Sequence, residues 1–206
     1  MMARGRLIAV SGVDGSGKST LVYGLARRLT QRGLTVRSLP ALKPRGESPV
    51  GWALRTPSAG GGETLERWIA GYFTLVLASN AAEVVIPALD RGEWVIADRW
   101  ALDHVANQRS FGIELDEWTA WLKVVPQPDR HLLVDVPPDL AAQRIAGRGK
   151  DPGVGHGHDF LTRCRGHMLE LAREGTWGQV TVLDGCADEV SLLDAAETAA
   201  LSGEER

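Results

Sequence analysis

The sequence has little of what marks extracellular, metal-binding or polyanion-binding proteins. Its two cysteines, Cys164 and Cys186, are far apart and lack metal-ligand spacing, so neither a disulfide framework nor a zinc site is expected. The formal net charge of −3 provides no basic field for nucleic acid or an anionic membrane. The first apolar run, residues 7–10, is too short for a signal peptide or a membrane span. We therefore expect a cytoplasmic protein with small-molecule ligands and no nucleic-acid or membrane partner.

The chain does contain a regular alternation of short apolar runs and amphipathic stretches. Strands are predicted at residues 7–10, 36–39, 94–97, 132–136 and 180–183. Helices are predicted at residues 19–32, 65–91, 102–109, 114–124, 139–147, 159–174 and 189–201. This order predicts one α/β domain over all 206 residues, a three-layer α/β/α sandwich around a five-stranded parallel sheet. A short lid is predicted at residues 147–158, where glycines allow the chain to close over ligands.

Residues 12–19 match the pattern G-x-x-x-x-G-K-[ST] between a predicted strand and a predicted helix. In such a P-loop the backbone N–H groups surround a triphosphate, and the helix dipole favours its negative charge. Lys18 is expected to reach the β- and γ-phosphates, and Ser19 is expected to ligate Mg²⁺. The predicted donor-binding residues are Gly12, Gly15, Ser16, Gly17, Lys18, Ser19 and Thr20. The motif predicts ATP and Mg²⁺ as cofactors, but it does not distinguish a kinase from a GTPase or an ATPase.

A second acidic group is expected at the end of a neighbouring strand, where it would complete the metal shell. Asp98 follows the predicted strand at residues 94–97 and meets that requirement, and Arg99 offers a planar guanidinium suited to a phosphate. Asp135 also ends a predicted strand, where it would either assist Mg²⁺ or only pack. Asp98 is therefore the predicted second metal ligand beside Ser19.

Taken in order along the chain, these motifs resemble the thymidylate kinase family of nucleoside monophosphate kinases. The matching residues are the P-loop through Thr20, Phe73, Pro87-Ala88-Leu89, Gly92, Ala97-Asp98-Arg99-Trp100, residues 133–138, Arg144, Arg148, Arg163 and Arg165. The resemblance runs from Arg6 to about Leu201. It implies the three-layer fold, ATP-dependent conversion of a nucleoside monophosphate to the diphosphate, and a homodimer that pairs through the long middle helix.

The resemblance also implies roles on the acceptor side. Asp14 would face the acceptor sugar, Arg99 would grip the acceptor 5′-phosphate, and Phe73 would stack on the base. Arg55 matches a family arginine that approaches the same phosphate. Asp14 and Arg99 are therefore expected to be catalytic as well as substrate-binding.

On the donor side, the resemblance implies that Arg144 and Arg148 close with the lid over the phosphates. One branch of the family carries an arginine in the P-loop, where this chain has Gly15-Ser16. The chain is similar to the other branch, whose lid supplies the positive charge. Arg148 is therefore the expected catalytic cation, together with Lys18.

Departures from the family concentrate around the acceptor. The family's arginine that reads the thymine carbonyl aligns with Leu77, which has no hydrogen-bond donor. The tyrosine under the sugar aligns with Asn107, a nearby polar position is His104, and the tyrosine of the family's D-R-Y is Trp100. These residues and the neighbouring Gln108 are expected to contact the acceptor. The resemblance implies dTMP, or a related or modified nucleotide, as the acceptor, and these departures favour a specialised acceptor with either sugar.

Two other functions stay open at this point. A nucleoside or small-metabolite kinase would phosphorylate a hydroxyl and would need a base such as Asp14 or His104. A nucleotide-binding sensor would use the P-loop alone, although a sensor has little use for an acceptor-phosphate clamp. The combination of Lys18, Asp98 and Arg99 favours the nucleoside monophosphate kinase.

Overall fold

A computed structural model describes residues 4–43, 63–148 and 157–202 of the chain. These residues form a five-stranded sheet in the order β2-β3-β1-β4-β5, in which all neighbouring strands are parallel. The strands are β1 (Leu7–Ser11), β2 (Val36–Pro40), β3 (Trp94–Asp98), β4 (Arg130–Asp135) and β5 (Val180–Asp184). The predicted five-stranded parallel sheet is confirmed. Arg55 and most of the predicted lid, residues 149–156, lie outside the described residues.

Helices precede or follow every strand and cover both faces of the sheet. They are α1 (Lys18–Gln31), α2 (Glu63–Asn80), α3 (Ile86–Asp90), α4 (Ala101–Ser110), α5 (Thr119–Val124), α6 (Pro138–Ala146), α7 (His158–Glu174) and α8 (Glu189–Leu201). Parallel strands need such crossover connections, because the chain must return to the same end of the sheet before each new strand. The predicted α/β sandwich is confirmed.

The central strand β1 contributes to two hydrophobic cores, one on each side of the sheet. Leu7 and Ala9 belong to the core beneath α2, α4 and α7, whereas Ile8 and Val10 belong to the core beneath α1 and α8. Successive strand residues point to opposite faces, so a strand covered on both sides must be apolar throughout. This explains why β1 reads as a continuous apolar run.

The long helix predicted at residues 65–91 is interrupted in the structure. A single π-helical turn, Ala81–Val85, separates α2 from α3, and the Ile86 backbone N–H bonds to the Ala81 carbonyl five residues back. Pro87 follows at once; its ring has no N–H and would clash with the carbonyl of residue 83 in a regular α-helix. The wider turn relieves that conflict.

The predicted helix at residues 114–124 also begins differently, because residues 116–118 form a 3-10 turn before α5. Trp118 ends this turn and packs against the core. The apolar spacing indicated a helix here but did not distinguish its first turn from a tighter one.

The helical stretch Leu65–Asp90 is long and apolar enough to cross a membrane by length and composition alone, with a mean hydropathy of 1.6 over its most apolar window. Core helices of globular proteins pass the same test. In this chain 44% of that window is buried inside the protein. Leu77, Ala81 and Val85 from this stretch are part of the core against the sheet.

The contact between α2 and Trp118 makes a testable prediction about two helical glycines. A Cβ on Gly71 would lie 2.2 Å from the Trp118 indole, whereas a Cβ on Gly166 of α7 would meet no atom of the described residues within 4 Å. Gly166→Ala should raise the free energy of unfolding by about 0.5–1 kcal/mol, because alanine is the better helix former. Gly71→Ala should lower it by about 1–3 kcal/mol through overpacking. Urea unfolding of both variants measures this difference, and equal stabilisation would contradict the packing described.

Candidate active site

The P-loop lies at the carboxyl end of β1, in the centre of the sheet. β1 ends at Ser11 and α1 begins at Lys18, so residues 12–17 form the turn between them. Gly12, Gly15 and Gly17 have φ values of 150°, 83° and 97°, a region that side chains disfavour. A Cβ on Gly15 would also lie 2.3 Å from a backbone carbonyl oxygen of α6. The backbone conformation therefore favours glycine at all three positions, and close packing against α6 also requires it at Gly15.

Lys18 is buried at the start of α1, with 6% of its surface exposed. Its Nζ donates to the Val13 carbonyl at 3.0 Å and lies 3.7 Å from Asp14 Oδ1. The pKa of Lys18 is lowered from 10.5 to about 8, mainly by burial and then by the charge of Arg99, while Asp14 opposes both effects. A phosphate bound here would find an amine that is already largely removed from water.

Ser19 and Asp98, the predicted metal ligands, lie side by side. Ser19 Oγ donates to Asp98 Oδ2 at 2.9 Å, which joins the first turn of α1 to the end of β3. A hydroxyl and a carboxylate are oxygen ligands of the kind that Mg²⁺ takes beside substrate phosphates and water. The described part of the chain has no group of three or more His, Cys, Asp or Glu side chains placed for a metal. Ser19 and Asp98 would leave the other coordination positions of a Mg²⁺ ion to phosphate and water oxygens.

Arg99 follows directly after β3 in an uncommon backbone conformation. Its φ of 73° makes it the one non-glycine residue with positive φ among the described residues. Its backbone N–H bonds to the Val10 carbonyl at 2.9 Å, and its guanidinium forms a close ion pair with Asp14. The turn therefore directs a cation from the sheet edge towards the P-loop.

A cleft of about 620 Å³ opens at this edge of the sheet. It is lined by Asp14, Gly15, Gly17, Lys18, Ser19, Pro40, Leu42, Lys43, Phe73, Asp98, Arg99, His104, Asn107, Gln108, Phe111, Ile145 and Arg148. The structure thus brings the donor residues of the P-loop together with most of the predicted acceptor residues. The carboxyl ends of parallel strands are where such sheets bind ligands.

His104 lines the cleft, and its ring is hydrogen-bonded to Thr74. Its Nε2 lies 2.8 Å from Thr74 Oγ1, and that hydroxyl also donates to the Ala70 carbonyl at 3.1 Å. The Thr74 hydroxyl has one proton, so it accepts from Nε2–H and leaves His104 Nδ1 as an acceptor. Burial lowers the pKa of His104 to about 4, so the ring is neutral at physiological pH.

Asn107 and Gln108 follow His104 on α4 and also line the cleft. Cys164 Sγ donates to Asn107 Oδ1 at 3.4 Å, which orients that amide. Gln108 is 93% buried by neighbouring residues yet still borders the cleft. The cleft wall on this side is therefore built from amides and a neutral imidazole.

Leu77 and Trp100, both expected to contact the acceptor, do not line the cleft. Leu77 has no exposed surface and packs in the core, and Trp100 is 1% exposed. Trp100 Nε1 donates to the Pro126 carbonyl at 3.0 Å, so the ring points away from the cleft. The expectation of direct contact is corrected for these two residues, because both side chains complete the hydrophobic core between α2 and α4.

Arg144 and Arg148 lie near the P-loop, beside a second cavity. Arg144 donates to the Ser16 carbonyl at 3.3 Å and to the Gly185 carbonyl at 3.2 Å. Both arginines border a second cavity of about 240 Å³ that Thr20 also lines. Arg148 borders both cavities and is therefore placed between them.

Asp135, for which two roles were open, is paired with Arg165 of α7. Arg165 Nε and Nη2 donate to its two carboxylate oxygens at 2.6 and 2.8 Å. This bidentate pair occupies both oxygens at the end of β4 and favours the packing role.

The sequence reasoning missed Asp103, a fully buried carboxylate four residues after Arg99. It lies in the first turn of α4, where acidic residues are common, and that position was the one available signal. Phe111 was also missed; it lines the cleft and contacts Phe160, with ring centroids 4.5 Å apart.

The lowered pKa of Lys18 predicts proton uptake when Mg-ATP binds. The negative charge of a bound phosphate raises the pKa of the Lys18 amine above about 8. At a pH where the free amine is partly neutral, binding of Mg-ATP therefore takes up a proton. We expect about 0.5–1 proton taken up per ATP at about pH 8.5 and almost none at about pH 6. Calorimetric titration in buffers of different ionisation enthalpy measures this number. Lys18→Arg, which stays charged, is the control, and equal uptake at both pH values would contradict the assignment.

Comparison with known proteins agrees with this geometry. The family model described as thymidylate kinase matches residues 10–188. A thymidylate kinase of Xanthomonas campestris pv. campestris (strain B100) is 36% identical over 195 residues, which cover 93% of this chain and 81% of that relative. A thymidylate kinase of Xylella fastidiosa (strain 9a5c) is 32% identical over 190 residues, covering 92% of this chain and 88% of the relative. The P-loop, the Asp98-Arg99 turn and these matches together show that the chain belongs to the thymidylate kinase family.

Proposed function

We propose that this protein transfers the γ-phosphoryl group of ATP to the 5′-phosphate of a nucleoside monophosphate, with dTMP or a related nucleotide as the acceptor. One observation carries the proposal: Lys18 of the P-loop and Arg99 of the acceptor side line one cleft. A sensor that only binds the triphosphate has little use for a second cation beside the P-loop. Family membership supports the same reaction.

The chain's residues act chiefly by position and charge. Backbone N–H groups of residues 12–17 and Lys18 hold the donor phosphates, and Arg99 holds the acceptor phosphate in line with them. An oxygen of the acceptor phosphate forms a bond to the γ-phosphorus while the bond to the β,γ-bridging oxygen breaks, and ADP leaves. The attacking oxygen is already anionic, so no general base is required.

Ser19 and Asp98 are the residues that would hold Mg²⁺, for which their oxygens are suited. The bound ion would neutralise charge on the β- and γ-phosphates. Arg148, which borders the cleft and the second cavity, would add positive charge as the site closes. Closure also excludes water, which would otherwise accept the phosphoryl group.

Asp14 and Arg99 would exchange partners when the acceptor binds. In the free protein they form an ion pair, and 38% of the Asp14 side chain is exposed to the cleft. A phosphate with two charges competes for the guanidinium more strongly than one carboxylate does. Asp14 would then face the acceptor sugar, the role that the family resemblance implies.

The donor base would occupy the second cavity, beside the P-loop. Arg144 is held there by the Ser16 and Gly185 carbonyls, so its planar guanidinium has a fixed place against which a base can stack. Thr20 lines the same cavity. These contacts support ATP rather than a free phosphate as the donor.

We also propose a cytoplasmic homodimer that pairs through α2. Trp68 and Leu75 are 49% and 47% exposed on this helix, and Ile86 of α3 is 37% exposed. Large apolar side chains grouped on one helix are the usual material of a homodimer interface.

A panel of acceptors tests the reaction directly. With Mg-ATP, wild-type protein should convert a nucleoside monophosphate to the diphosphate and leave nucleosides unchanged, as followed by separation of the products. Arg99→Ala should lower kcat/KM for that acceptor by roughly 100-fold or more, since a charged contact in the transition state is lost. ATP binding should change much less in that variant. Turnover of nucleosides alone would instead indicate a hydroxyl kinase, and ATP binding without turnover would indicate a sensor.

The neutral imidazole of His104 predicts a role in base selection. Its Nδ1 is set up by Thr74 as a hydrogen-bond acceptor. His104→Phe keeps a planar ring without polar atoms and should lower kcat/KM for the preferred monophosphate by about 10- to 100-fold. Thr74→Val, which removes only the hydroxyl that fixes the tautomer, is the matched variant and should lose less. An unchanged ranking of acceptors in both variants would rule out this role.

A further inference from the structure

Asp103 is a carboxylate in α4 with no exposed surface. Its side chain accepts hydrogen bonds from the Gly12 backbone N–H at 3.3 Å and from the Trp100 backbone N–H at 3.0 Å. It also accepts a short hydrogen bond from Ser11 Oγ and lies 3.7 Å from Arg99 Nη1. Four groups from two separate stretches of the chain, residues 11–12 and 99–100, therefore meet at one buried carboxylate.

Two of these contacts connect Asp103 to the donor-binding and acceptor-binding parts of the proposed site. Gly12 is the first residue of the P-loop, so its N–H fixes where the loop leaves β1. Trp100 directly follows Arg99, so its N–H fixes where the acceptor cation leaves β3. Asp103 thus bridges the start of the donor loop and the turn that carries Arg99.

The Arg99 turn needs such support. Its φ of 73° is a conformation that is unfavourable for a non-glycine residue and persists only where surrounding contacts enforce it. The bond from Arg99 N–H to Val10 lies on one side of the turn, and the bond from Trp100 N–H to Asp103 lies on the other. The carboxylate therefore holds the peptide N–H that follows Arg99 and also lies beside the Arg99 guanidinium.

A helix cap alone does not explain this side chain. A carboxylate in the first turn of a helix is ordinarily solvent-exposed, and burying it is costly unless every oxygen is paired. Here the surroundings of Ser11 are also polar, because its Oγ lies 2.5 Å from Nε2 of His131 in β4, a residue with no exposed surface. Burial lowers the pKa of His131, so a neutral imidazole supports the hydroxyl that donates to Asp103.

Asp103 and Asp14 hold Arg99 in different ways. Asp14 lines the cleft, whereas Asp103 does not and has no surface that a ligand can reach. An incoming phosphate would therefore displace Asp14 and leave the contact with Asp103 in place. The guanidinium would keep its position as it changes partner.

We propose that Asp103 is a positioning residue that fixes Arg99 relative to the Gly12 N–H, the first N–H of the P-loop. In this way it aligns the acceptor phosphate with the donor phosphates. This inference rests on the proposed function, because it assigns Arg99 to the acceptor phosphate. Asp103 itself touches no substrate and acts through Arg99 and Gly12.

The test separates phosphate recognition from general stability. The probes are the monophosphate that turns over fastest in the acceptor panel and the same nucleoside without its phosphate. In Asp103→Asn the amide keeps the shape of the carboxylate, but its NH₂ group faces N–H and O–H groups that are themselves donors. We expect the Kd of the monophosphate to rise about 10- to 100-fold, with much less change for the nucleoside and a fall in kcat. A purely structural role would weaken the binding of both probes equally.

Asp129→Asn is the matched control. Asp129 Oδ2 accepts from the Leu7 backbone N–H at 2.7 Å, at the opposite edge of the sheet. The same substitution there should lower the Tm without changing the ratio of the two Kd values. If Asp103→Asn does not fold, Ser11→Ala removes one donor from the same carboxylate and should give a smaller loss that is still specific for the phosphate.

The inference is overturned if a folded variant, Asp103→Asn or Ser11→Ala, keeps the wild-type ratio of the two Kd values. This holds whether both Kd values are unchanged or both rise by the same factor. If wild-type protein turns over no monophosphate at all, the proposed function itself fails, and that result is seen before any variant is made.

Discussion

Two cations, Lys18 and Arg99, are held close together at the carboxyl edge of the sheet, and the rest of the site depends on how their charge is balanced. Burial lowers the pKa of Lys18 to about 8, and Arg99 contributes to that shift. Asp14, Asp98 and Asp103 provide the opposing charge. A phosphate can take the place of Asp14 beside these cations, because it brings the negative charge that Asp14 supplies in the free protein. We therefore expect ligands to bind in the cleft through their phosphate groups.

Much of this arrangement could be predicted from the sequence. The three inner strands, β3, β1 and β4, contain continuous apolar runs because both faces of the sheet are covered there, and the P-loop has a pattern that few other structures require. The π turn before Pro87 and the placement of Leu77 and Trp100 could not be predicted in this way. Periodicity shows that a residue is apolar or helical, but it does not show which of two nearby surfaces, core or cleft, receives its side chain. Asp103 was missed because its partners are backbone N–H groups and residues distant in sequence.

The predicted acceptor side is where we expect this chain to depart most from the family pattern. The wall formed by His104, Asn107 and Gln108 offers amides and a neutral imidazole, and Leu77 supplies no polar atom. Hydrogen-bonding sites reject ligands that lack the matching group more strongly than apolar sites reject extra atoms. Exchange of these few residues can therefore change the accepted base while the phosphate chemistry at Lys18 and Arg99 stays the same.

The central claim is that donor and acceptor phosphates meet in one cleft between Lys18 and Arg99. It is tested most directly by the Kd of one molecule in which adenosine and the acceptor nucleoside are joined through a chain of phosphates. Such a molecule should bind at least about 100-fold more tightly than ATP, because the second nucleotide binds within the same complex. Arg99→Ala should remove most of that gain. Binding no tighter than that of ATP, or a gain that survives Arg99→Ala, would contradict the account.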